Sequence, residues 1–473
     1  MREISEARFN AIAGYARQPY ARITGEELKY FEDEGGALLG LLIRDRADND
    51  FAGMAFGRDK RLRFRWTSMT EFFERPETAV NALSKLIAEL LVEPEEFHYQ
   101  GDEVGKPVDF FAQVHPPERL HPDFLTVATA AQFSSARGVI EPMMRWHEDL
   151  DGNFVEQFQS TAFDQRIWEL YLFAMLTEVG YVLDQSHAVP DFIAGGLLGQ
   201  VAVEAVTVGP TRDGNTIVPP PPTELPEQLH AYLHDYMPIK FGSPLFSKLR
   251  KEYWKNPQIE GMPLVFAIAD FSSPGSMVHS RSALERYLYG YSHGPAINTY
   301  GKKAGKPKKI VEHRWGEKVI PSGFFDIPEA ENISAVISTS SGTISKFNRL
   351  GLLSGFGADN VLMIREGTCI DTSHGATSPL LYKMVVNAPG YSESWIEGLN
   401  VYHNSRARVP LHEYLLPGAA HHRCDEEGKI TSSVPKFHPL SSITQLIADV
   451  DVARALEELG DETVKFWKTH VGD

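Results

Sequence analysis

The spacing of apolar residues changes several times along the 473-residue chain, and each change predicts an element. Short apolar runs at 37–44, 51–56 and 62–66 read as strands, and 80–91 repeats its apolar positions at helical spacing, so residues 1–117 form a mixed α/β region. Between His115 and Pro122 the prolines block regular pairing, which marks a boundary. A helical pattern follows at 136–146. The run 167–176 (IWELYLFAML) is apolar at nine of ten positions and long enough to predict a buried helix, with Gly180 as its stop. Strands are predicted at 181–184, 189–194 and 200–208, the last two joined through Gly195, Gly196 and Gly199. After the proline tract 219–222, Ser243 and Pro244 read as an N-cap and first helical position of a helix running to about Trp254. A strand at 263–271 closes this part.

A further strand at 333–339, a glycine-rich β-leaning stretch to about 415, and an amphipathic helix over 447–467 complete the expectation. The chain is therefore read as an α/β protein in three regions, 1–117, 118–345 and 346–473, the last a β-rich extension ending in a helix.

Charge narrows the function classes. Lys plus Arg number 46 against 63 Asp plus Glu, a net charge of −17, so a wholly basic nucleic-acid coat is excluded and any such site must be local. The one basic island is 301–318, with Lys302, Lys303, Lys306, Lys308, Lys309, Arg314 and Lys318. Cys369 and Cys424 are too few for a disulfide framework and fit a reducing compartment, although the two could still pair with each other. No apolar run approaches the ~18–20 residues of a membrane span, and the N-terminus carries acids without a continuous apolar core. The expectation is a cytoplasmic protein with no membrane partner.

Three carboxylates sit alone in segments that otherwise favour burial. Glu169 is the single charge in 167–176, Glu204 is the single charge in VAVEAVTV, and Asp191 opens an apolar strand after Pro190. A buried carboxylate without compensation is costly by several kcal/mol and requires a proton, a cation or hydrogen-bond donors. Adjacent strands can bring Asp191 and Glu204 together while a helix aims Glu169 at them, and such a cluster suits a hard divalent cation such as magnesium or manganese. The bland alternative pairs Glu169 with Arg166 one turn earlier and uses Asp191 to cap a turn. It fits Glu204 poorly, because Ala202 and Val206 on the same strand face are apolar.

At these residues the sequence resembles the PD-(D/E)XK nuclease superfamily, the restriction-endonuclease-like fold. The matching pieces are Glu169 on a leading helix, Pro190-Asp191 on one strand and Glu204-Ala205-Val206 on the next, followed by a helix and a strand, over about a quarter of the chain. The resemblance implies a mixed central sheet flanked by helices. It makes Asp191 and Glu204 metal ligands, with the Ala205 carbonyl a third oxygen and Glu169 binding metal or orienting water. Val206 stands where a lysine usually ends the last motif. Lys248, on the flank of the apolar side of the following helix, is the best replacement, with Lys240 and Gln200 as weaker ones. The implied function is metal-dependent phosphodiester hydrolysis, with DNA the expected substrate. The missing lysine keeps a second reading open, a catalytically silent nuclease-like module that binds nucleic acid or a protein partner. Homo-oligomerisation is left open.

Other signals are weaker. Gly290-Tyr291-Ser292-His293-Gly294 matches a nucleophile elbow, but helical spacing rather than a strand precedes it. His403, His421, His422 and Cys424 invite a zinc hypothesis without a Cys-x-x-Cys partner. The stretch 395–410 mixes aromatic and basic residues that could stack on nucleic acid or simply form a structured loop.

Overall fold

The computed structural model describes residues 1–92, 98–150, 152–214, 216–293, 306–376 and 378–468. The chain divides into two compact units that interleave in sequence. One comprises Met1–Arg166, Ala174–Val182 and Ile344–Val361, and the other Ile167–Phe173, Leu183–Thr343 and Leu362–Asp473.

The N-terminal unit is built on a five-stranded antiparallel meander of Arg2–Ile4, Gly25–Glu32, Leu38–Asp45, Phe51–Arg58 and Phe64–Met69, neighbours in sequence pairing as neighbours in space. The helix Pro76–Leu90 places Ala79, Leu83 and Ile87, each four residues apart, on Leu38, Leu42 and Ala55. Gly53 permits this approach, since a Cβ there would lie 2.5 Å from the Leu83 Cβ. On the other face the helix Glu6–Ala13, capped by the Ser5 hydroxyl accepting from the Arg8 N–H, packs Phe9 and Ile12 against Leu39, Leu41 and Phe56.

The second unit carries a mixed eight-stranded sheet. Its spatial order is Ile430–Ser433, Ala420–Cys424, Leu399–His403, Ala335–Thr339, Leu264–Asp270, Gly199–Val208, Phe192–Gly196 and Val182–Asp184. Gly199–Val208, Leu264–Asp270 and Ala335–Thr339 run parallel in the middle, and Phe192–Gly196 and Leu399–His403 flank them antiparallel. All seven residues of Leu264–Asp270 and all five of Ala335–Thr339 are buried. Such continuously buried, mostly apolar runs belong to strands covered on both faces. Helices Met237–Leu249 and Arg281–Tyr289 supply Phe241, Leu245, Leu249, Leu284 and Leu288 to the cluster over Val206, Phe266 and Val336. The long helix Phe163–Val179 ends at Gly180 in the left-handed region (φ 103°), as the sequence predicts.

Two expectations are corrected. The helix expected from Ser243 begins at Met237, so Pro244 lies inside it, and it ends at Leu249; Tyr253–Lys255 is a separate turn entered through Glu252 at φ 52°. Burial of Phe241, Leu245 and Leu249 on one face offsets the backbone hydrogen bond that proline removes. The single helix expected over 447–467 is instead strand Ile443–Ala448, helix Val452–Leu459 and strand Val464–Lys468. Asp449 and Gly460 take positive φ values of 58° and 50° and break the run, while Val464 and Phe466 pair with Met384 and Tyr382 in a second, four-stranded sheet.

Candidate active site

Glu204 lies in the strand Gly199–Val208 and is 2% exposed. The register Phe192↔Val203 sets Asp191, one residue before its strand, level with Glu204. The main chain ties the two carboxylates together. The Asp191 N–H donates to Glu204 Oε2 (3.2 Å), and the Ala205 N–H donates to Asp191 Oδ2 (2.7 Å).

Lys248 reaches the same point from the helix Met237–Leu249. Leu245 and Leu249 bury on the sheet, and the intervening flank position lets the Lys248 ammonium form an ion pair with Glu204 Oε1, the lysine side chain being 22% exposed. The Tyr253 hydroxyl donates to the same oxygen at 2.6 Å. In the sequence Tyr253 falls within the helix expected to run to about Trp254, where nothing in the spacing points to this contact. Its only sequence signal is proximity to Lys248, because the turn that aims it depends on the left-handed Glu252.

Glu169 joins through its field. It is buried on the helix Phe163–Val179, beside Trp168, whose indole N–H donates to the Ala267 carbonyl at 2.8 Å on the neighbouring strand, where Ala267 pairs with Ala205. Burial, then the charge of Glu204, then that of Glu169 push the Asp191 carboxyl well above its usual range, against the opposing pull of Lys248 and the Ala205 N–H. The Tyr253 hydroxyl is likewise pushed up by burial and by Glu204, which keeps it a hydrogen-bond donor. The charges of Glu204, Glu169 and Lys248 thus all act on Asp191, and a proton or a divalent cation would relieve the repulsion between Asp191 and Glu204.

The weaker lysine substitutes lie elsewhere. Lys240 donates to the Gly209 carbonyl (2.8 Å) and Thr211 Oγ1 (3.0 Å), and Gln200 is exposed four residues along the strand from Glu204, about 13 Å away at ~3.3 Å per residue. Ser292 follows the helix Arg281–Tyr289 in a two-residue strand, not the strand-to-helix turn of a nucleophile elbow, and residues 294–305 lie outside the described ones. Lys302 and Lys303 of the basic island lie outside them too, while Lys309 pairs with Asp326 and Arg314 with Glu312. The zinc hypothesis finds its ring nitrogens engaged: His403 Nε2 bonds His421 Nδ1 (3.0 Å), and His422 meets Ser432 Oγ (2.8 Å) and Asn400 Oδ1 (3.0 Å). Tyr402 and His403 are buried in their strand rather than offered to a base.

A different trio, unforeseen from sequence, brings three potential ligand atoms within 4.8 Å of one another in the N-terminal unit: His121, Asp123 and Asp164. Burial and the charge of Asp123 push Asp164 up to about 6.

By fold and site this is a mixed α/β protein with a carboxylate–lysine cluster at the centre of an eight-stranded sheet. No family model, curated protein or solved structure matches the chain. No helix among the described residues is long and apolar enough to cross a membrane.

Proposed function

We propose that the second unit is a restriction-endonuclease-like, divalent-metal-dependent nuclease that hydrolyses phosphodiester bonds, with DNA as substrate. The observation that carries this reading is the Lys248 ammonium on Glu204, paired across the strands with Asp191. It supplies from a neighbouring helix the cation missing at Val206. In this reading Asp191 and Glu204, with the Ala205 carbonyl, hold magnesium or manganese, and the upward push on the Asp191 carboxyl from burial and the adjacent Glu204 fits that donor set. A bound cation would lower the pKa of water and stabilise charge on phosphoryl oxygens. Lys248 adds positive charge beside the scissile phosphate, Glu169 orients water or completes the ligand set, and Tyr253 fixes the Glu204 rotamer. Cys369 and Cys424 are both free, which supports a cytoplasmic setting.

One observation favours the silent module instead. Glu204 already accepts from Lys248, Tyr253 and the Asp191 N–H, as a purely structural buried ion pair would. Digestion of duplex DNA, single-stranded DNA and RNA with magnesium or manganese separates the two. The nuclease reading expects cleavage by the wild type and loss in Asp191→Ala and Glu204→Ala. Tight nucleic-acid binding without cleavage at any metal concentration establishes the silent module.

A further inference from the structure

The N-terminal unit contains an open cleft of about 270 Å³, near the lower end of small-ligand sites. Four arginines line it. Three lie over aromatic rings, Arg8 over Phe356 (5.1 Å), Arg58 over Phe64 (4.1 Å) and Arg63 over Trp146 (5.1 Å), an arrangement that fixes the guanidinium planes and limits the entropy lost on binding a ligand.

Two of the four charges are compensated. Arg8 grips Glu32 through Nε and Nη2, both at 2.9 Å, and Arg63 Nε donates to Asp59 Oδ2 at 2.8 Å. The second carboxylate in the cleft, Glu141, bonds Arg137 at 3.1 Å and acts on Arg145 only through its field, as Asp109 does. Arg58 and Arg145 have no carboxylate within ion-pair distance among the described residues, and donate to the carbonyls of Leu62 (3.2 Å) and Val108 (2.5 Å). Surrounding protein atoms and the nearby Arg145 charge hold Arg58 below the usual guanidinium range, and burial does the same for Arg145. Two like charges are thus held in one cleft with N–H donors to spare. Paired guanidinium forks match the oxygens of a tetrahedral dianion better than a planar monoanion.

We propose that this cleft binds a dianionic phosphoryl group between Arg58 and Arg145. The inference is independent of the nuclease reading, and either can fail alone. The chemistry is shared by free phosphate and by a phosphomonoester such as a nucleoside 5′-monophosphate.

Isothermal titration of the full chain at low chloride and near-neutral pH tests it, using inorganic phosphate, adenosine 5′-monophosphate and succinate. Saturable binding of one phosphate or monophosphate per chain is expected, weakened at least about 10-fold by Arg58→Gln and by Arg145→Gln. Tighter binding of the monophosphate identifies an ester as the source, and equal or tighter binding of phosphate identifies the free ion. Arg58 is exposed and held by the Phe64 ring and one carbonyl, with no ion pair to break, so Arg58→Gln keeps the test valid if Arg145→Gln fails to fold. No saturable heat, unchanged affinity in Arg58→Gln, or succinate binding as tightly as phosphate overturns the proposal.

Discussion

The Asp191–Glu204 cluster and the arginine cleft are opposite in sign and in construction. In the sheet, Asp191 and Glu204 meet the Lys248 ammonium and accept hydrogen bonds from backbone N–H groups of each other's segment. In the cleft, two guanidiniums have no carboxylate within ion-pair distance among the described residues, Arg58 resting on the Phe64 ring and a carbonyl and Arg145 on a carbonyl. In each proposal the sign of the charge gathered at the site sets the ligand class, a cation for one and an anion for the other. Glu32, by contrast, is paired with both Arg2 and Arg8 and is structural.

The largest expected effect breaks the sheet side of this contrast. Glu204→Gln should lower phosphodiester cleavage by about 10²–10⁴-fold in single-turnover assays, since it removes one of the proposed ligands and the Lys248 counter-charge together. A variant that cuts at the wild-type rate separates the cluster from the chemistry. Lys248→Ala should reduce cleavage by about 10²-fold while manganese binds at least as tightly, because the competing cation is gone. Parallel loss of cleavage and metal affinity would make Lys248 an architectural prop instead.

A smaller effect probes the fastening of Glu169. Trp168→Phe removes the indole bond to Ala267 and should cost about 1–2 kcal/mol by urea denaturation, with the urea dependence of stability unchanged. The smallest concerns Asp164 in the N-terminal unit. Its folded pKa is pushed up from 3.8 to about 6, so the folded chain binds this proton more tightly than the unfolded one. That contribution is fully present below about pH 4 and is lost as pH rises through about 6. Asp164→Asn should flatten the decline and raise the melting temperature at neutral pH. A steeper decline in the variant would show that Asp164 gains rather than loses by ionising.

Legibility from sequence followed the same division. Glu204 and Asp191 stood out because one charge interrupts a run that a doubly covered strand requires, and the Gly195–Gly199 reversal set their register. Lys248 was found from its angular place on an amphipathic helix. Tyr253 was not legible, because its aim depends on a left-handed residue that ordinary helical spacing conceals. The partners of Leu399–His403 and Ala420–Cys424 in the eight-stranded sheet were hidden too, since a strand's neighbours are chosen by long-range packing, and 464–468 shows the same choice overriding a helical pattern. The arginine cleft draws on the segments around residues 8, 58, 145 and 356, whose meeting no local pattern records.

The most direct test of the central claim is manganese binding followed by electron paramagnetic resonance in wild type, Asp191→Asn and Glu204→Gln, all confirmed folded by circular dichroism. The account predicts a bound ion in the wild type that both variants lose. Equal occupancy in all three would place the metal elsewhere and contradict it.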